Sequence, residues 1–145
     1  MSLMPIFSPA AAAVLSVAYV TKVKEVTNDT TSHTLSSVAL GAAAADRQIL
    51  VNAYASMDAV AIITGVTIGG VSATEFVVNN GGGKSSGFYM ASVPSGTTGD
   101  IVISINTGTG ELWGAAVYRI TGGAATSASD TASYNTSTSP ATLTI

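Results

Sequence analysis

The side chains able to do chemistry are few in this chain, and they are scattered. There is a single histidine, His33, and no cysteine. A zinc site gathers several N, S or O ligands. His33 sits among Ser and Thr with no second His or Cys to share a metal, so it reads as a surface or hydrogen-bonded strand residue. Glycoside hydrolysis needs two carboxylates facing each other across the scissile bond. Asp46, Asp58, Asp100 and Asp130 are the candidates, but nothing in their spacing brings two together. Each adjoins a small or polar residue, where an aspartate more commonly serves a turn or cap. The run Gly81-Gly-Gly-Lys84-Ser85-Ser86 supplies the Gly-Lys-Ser ending of a phosphate loop. Val78 stands where the opening glycine is required, however, and a strand rather than a helix follows, so a mobile hairpin tip accounts for the run. Tyr54, Tyr89, Trp113 and Tyr118 would stack on sugars if they lined a groove and would fill a core if they did not. Trp113, near Leu112 and Val117, reads as core. No catalytic, cofactor or metal site emerges, and the chain reads as a non-enzyme.

Composition narrows the field further. Only 9% of the 145 residues are charged while 47% are hydrophobic, and mean hydropathy is +0.47. The net charge of −3 comes without a run of either sign. Nucleic-acid binding draws on a basic stripe that neutralises phosphates. The nearest approach here, Lys22 and Lys24, reads as solvated strand residues, so a nucleic-acid partner is not expected. The apolar stretch from Ala10 to Val20 is broken by Ser16 and is too short for a bilayer, so no membrane partner is expected either. A secretory signal would place basic residues ahead of that stretch, whereas the first lysine is Lys22. Without cysteine the redox compartment is unreadable. Soluble monomers carry about a quarter charged residues, and the buried centres of interfaces are depleted of charge. The low charge therefore favours a surface covered by copies or partners over one solvated by Ser, Thr and Asn alone.

The elements that would carry these residues are strands. At this length one domain can bury about two thirds of the unfolded surface. Residues 1–13 hold Pro5, Ile6, Phe7 and Pro9, and proline removes backbone donors. They read as an extended N-terminal arm laid on a neighbour, or as an unstructured leader, ahead of a β-sandwich domain over 14–145. Val14–Val26 is rich in β-branched residues and predicts a long, bent strand, Asn28–Thr31 a turn, and His33–Leu40 a second strand. Gly41–Ala45 is a helical turn or a loop. Arg47–Tyr54 alternates apolar and polar positions as a half-buried strand does. Gly69-Gly70 between two apolar runs predicts a tight hairpin, and Asn79–Lys84 a flexible tip. Phe88–Val93, Asp100–Asn106 and Leu112–Ile120 continue the series, with Thr107–Gly110 as a turn. Tyr134 and Leu143–Ile145 look like final strands that pair with a sheet edge, the chain's own or a neighbour's. About nine short strands near ten residues apart argue for a single all-β antiparallel sandwich, jelly-roll or immunoglobulin-like.

Three runs carry a resemblance: Gly65–Thr74, Phe88–Ile103 and Trp113–Gly122. Over Arg47 to Gly122 the chain resembles a β-sandwich module of structural proteins of tailed bacteriophages and prophages. That resemblance rests on turn and strand residues and implies a virion component, on the surface of the phage particle. The expectation is a capsid decoration (cement) protein, a homo-oligomer with a trimer as the expected order, bound to the major capsid protein or other virion proteins. Apolar area buried across capsid junctions would stabilise the shell at roughly 25 cal/mol per Å² before association costs. Low charge and unpaired termini place the expected interface at Pro5, Ile6, Phe7, Pro9, Tyr134, Leu143 and Ile145. The alternative is a tail-fibre or spike module binding host glycans through Tyr, Trp and loop Asn residues, and an exposed aromatic groove would favour it. A secreted enzyme would require two carboxylates converging at a pocket.

Overall fold

The computed structural model describes residues 14–57 and 62–123, and among them no helix occurs. Seven strands follow one another: β1 (Ser16–Ala39), β2 (Gln48–Met57), β3 (Ile63–Ile68), β4 (Val71–Ser72), β5 (Thr74–Gly81), β6 (Lys84–Ser92) and β7 (Thr98–Thr121). All pairings are antiparallel. The all-β, antiparallel expectation holds. The anticipated arm over 1–13, with Pro5, Ile6, Phe7 and Pro9, lies outside the described residues, as do Tyr134, Leu143 and Ile145.

Among the described residues four of the expected strands merge into two that are long and bent, while those expected at Tyr134 and Leu143–Ile145 lie outside the described residues. β1 and β7, each 24 residues, pair along nearly their whole length. The C-terminal half of β7 also pairs with β2, which continues through β6 to β5. The N-terminal half of β7 pairs with β3, which carries β4. One ribbon thus serves two layers. The first has the order β1–β7–β2–β6–β5, and the second β1–β7–β3–β4.

The bend falls where turns were expected. Asn28–Thr31 and Thr107–Gly110 are not turns: both strands run through, and Asp29 and Thr30 pair with Gly110 and Thr109. The ladder shifts register on both sides of these pairs, with Thr31 at φ 61° and Gly108 at φ 84°. A bulge takes the same Gly, Asn, Asp and Thr residues as a turn, and local sequence does not distinguish them. His33 Nε2 lies 2.8 Å from Glu25 Oε2 across this bend, and the His33 ring stacks on Trp113 with centroids 5.5 Å apart. Trp113 is fully buried. Its ring occupies the space a Cβ on Gly110 would need, so residue 110 must be glycine for the indole to close this end of the core.

The layers face each other through alternating positions. β2 turns Ile49, Val51, Ala53, Ala55 and Met57 inward, against Ile63, Val66 and Ile68 of β3 and Ile101, Ile103 and Ile105 of β7. Ser85 is buried between the layers, accepting from the Ile63 N–H (3.1 Å) and donating to the Asn80 side-chain oxygen (2.6 Å). Gly69 and Gly70, at φ 58° and 80°, make the expected tight hairpin of β3 and β4. Asn79–Lys84 is tighter than the flexible tip anticipated: Asn79 and Asn80 remain in β5 and only Gly82 and Gly83 turn. Gly41–Ala45 is loop.

That loop is held by a buried cation. Arg47 is fully buried, and its guanidinium donates to the carbonyls of Val93 (2.6 Å), Gly41 (2.8 Å) and Ser95 (2.7 Å). Arg119 donates to the neighbouring Ala42 carbonyl (2.8 Å). Burial, and then the nearby Arg119 charge, lower the Arg47 pKa from its ordinary value. Three different guanidinium nitrogens reach the three carbonyls, a spread that a lysine's three donors, all on one nitrogen, do not match. The Arg47→Met variant is expected to lose about 3 kcal/mol of stability in denaturant titration, from carbonyls left unpaired. Arg47→Lys should recover only a minor part of that loss.

Tyr89 is also buried and donates to Glu75 Oε2 at 3.2 Å. Burial first, and then the Glu75 carboxylate, push its phenol well above the usual range. The unfolded chain ionises this tyrosine near pH 10 while the folded one keeps it neutral. Its contribution to stability is therefore complete below about pH 10 and is lost as pH climbs from there toward the raised folded value. Thermal midpoints measured from pH 8 to 11 should fall less steeply for Tyr89→Phe than for the parent chain.

Candidate functional site: the outer face of the five-stranded layer

Residues that β2, β6 and β7 turn away from the core form a broad surface. Strand register assembles it in cross-rows. One row runs Lys24, Gly114, Tyr54, Ser86 and Asn79 across β1, β7, β2, β6 and β5. The next runs Lys22, Ala116, Asn52, Phe88 and Val77. A third brings Tyr19 and Tyr118 edge-to-face, centroids 5.7 Å apart, next to Leu50 and Met90.

Gly114 and Ala116 are the smallest members of their rows, and a cleft of about 360 Å³ opens over them. Lys22 and Lys24 form one wall and Asn52 and Tyr54 the other, with Leu112 closing an end. The walls are two strand spacings apart, roughly 10 Å, wide enough for a flat ring. Tyr54 is shared with a second cleft of about 250 Å³ that includes Asn79, Lys84 and Ser86. A small third cleft joins Asn52, Asn79 and Phe88. Among the described residues no carboxylate lines any of the three, whereas every lysine of the chain borders the first or the second.

The aromatics singled out from sequence divide between two fates. Trp113 and Tyr89 are core, whereas Tyr54 and Tyr118 are half-buried on the outer face. Asp46 accepts the Gly122 N–H (2.7 Å) and Asp100 the Ser37 N–H (2.8 Å), backbone partners far away in sequence rather than those of a local turn or cap. Asp58 and Asp130 lie outside the described residues. A separate cleft of about 400 Å³ beside the Gly69–Gly70 turn has Asp100 as its only carboxylate among the described residues. Among the described residues no cluster of His, Asp and Glu has the number needed for a metal ion. Lys84 opens strand β6 rather than a helix.

Sequence reasoning reached Tyr54 but not its neighbours. Asn52 and Tyr54 alternate with the buried residues of β2, a visible signal, yet Lys22, Lys24, Gly114 and Asn79 join them only through strand pairing. No family model matches the chain, and no curated protein or solved structure is significantly similar to it. Ala116→Leu adds bulk on the solvent side and should fill the first cleft while shifting stability by no more than about 0.5 kcal/mol, as surface substitutions do. Denaturant titration checks this.

Proposed function

We propose that the protein is a non-enzymatic binding module of a phage virion, of the tail-fibre or spike type, that recognises glycans on its outer sheet face. The observation carrying this reading is the open cleft with Tyr54 and Asn52 as one wall. A half-buried aromatic ring offers a flat apolar face for a sugar ring, and amide and hydroxyl side chains satisfy its hydroxyls. Strands β7, β2 and β6 are paired on both sides, so the middle of this face presents side chains and no free backbone edge. Binding of the full chain to an immobilised glycan panel tests the proposal. Tyr54→Ala should weaken retention about tenfold, the scale of one lost ring contact, and Ala116→Leu should abolish it. Retention unchanged in both variants would refute the reading.

Capsid decoration is a second reading, supported by a different observation. Val17, Tyr19 and Val26 are more than half exposed on β1, which among the described residues pairs only with β7 and so leaves an open edge. Light scattering on the full chain and on a variant lacking residues 1–13 separates the two readings. A trimer that weakens without the arm supports decoration, and a monomer in both cases counts against it.

A further inference from the structure

We infer that the ligand of the outer-face clefts is an acidic glycan, one whose sugar rings carry carboxylate or sulfate groups. This rests on the glycan reading above and names the class of sugar.

The argument is the distribution of charge. The chain is acidic overall, with eight carboxylates against five basic residues. Two of the five, Arg47 and Arg119, are committed to backbone carbonyls of the loop after β1. The remaining three, Lys22, Lys24 and Lys84, are all exposed and all border clefts that share Tyr54. An acidic protein that gathers every lysine around one aromatic ring, with no carboxylate among the described residues lining those clefts, presents a local positive field suited to an anion.

Three further features select a glycan among anions. The lysines flank a ring and neutral amides rather than forming a continuous basic stripe, which is what a nucleic-acid backbone requires. Lysine meets a carboxylate or sulfate as a point charge without demanding bidentate geometry, as suits a charged group displayed at the side of a ring. An extended peptide would add to a strand edge; β7 and β2, beneath the first cleft, are paired on both sides, and the open edge of β1 lies on the far side of the lysine wall. A sugar ring over Gly114 and Ala116 would lie against Tyr54 and hold its anionic group toward Lys22 and Lys24.

The test is a panel of uronate, sialylated and sulfated oligosaccharides, each matched with a neutral counterpart of the same backbone, probed with the full chain at 50 and 300 mM NaCl. Expected is retention of at least one acidic member about tenfold above its neutral match. The higher salt should erode that preference, because exposed charges are screened. Lys22→Gln/Lys24→Gln should weaken the acidic member about tenfold, two exposed charge contacts' worth, and weaken it more than its neutral match, while leaving thermal unfolding unchanged. Equal binding of matched acidic and neutral glycans, or indifference to the lysine substitutions, overturns the acidic assignment and leaves the glycan reading standing. Binding of no glycan overturns both. Equal retention of DNA or polyglutamate would mark simple polyanion exchange and also overturns the assignment.

Discussion

The pairing of β1 with β7 is the constraint on which the rest of the molecule depends. Each half of this ribbon is built into a different layer, so the bend between the halves sets how the layers face each other. Register shifts, Thr31 in a left-handed conformation and Gly108 make the bend possible. A β-branched residue at positive φ is strained, and it persists because the ladder on either side over-determines it. The Trp113 ring over Gly110, and the His33–Glu25 contact beside it, pack the corner the bend creates.

The same ribbon positions the clefts. Lys22 and Lys24 reach Tyr54 only because β7 lies between β1 and β2 in a register that sets Gly114 and Ala116 opposite them. A shift by one residue would turn every one of these side chains to the core. The buried alternation of β2 opposes such a shift, since it would carry Ile49, Val51 and Ala53 into water. Core packing and surface recognition are thus two faces of one register.

What sequence made legible was local and periodic. The strand through Ile49, Val51 and Ala53, the Gly69–Gly70 hairpin and the core position of Trp113 all follow from side-chain alternation, turn chemistry or apolar size. The bends of β1 and β7 carry the sequence signature of turns because a bulge uses turn residues, and only a partner strand decides between them. Arg47 reads in the sequence only as the first residue of a strand. Its three carbonyl partners come from residues 41, 93 and 95, and no pattern near position 47 announces them. The lysine grouping was hidden for a related reason: Lys84 is distant in sequence from Lys22 and Lys24, and the sheet unites them.

The register that joins Ser16 to Thr121 also has a consequence during synthesis. The ribbon cannot zip until β7 has left the ribosome, long after β1 has emerged. Until then the nascent chain must hold β1 without its partner, while only hairpins such as β5–β6 can close early. Non-local pairing of this kind slows folding, and unpaired apolar strands are prone to aggregate while they wait. Lys22, Lys24 and Glu25 act as gatekeepers in the first half of β1, and with them the polar stretch Thr27–Ser32 keeps the waiting strand from reading as continuous apolar β-sequence. The residues that bend the finished ribbon also interrupt the strand before its partner arrives.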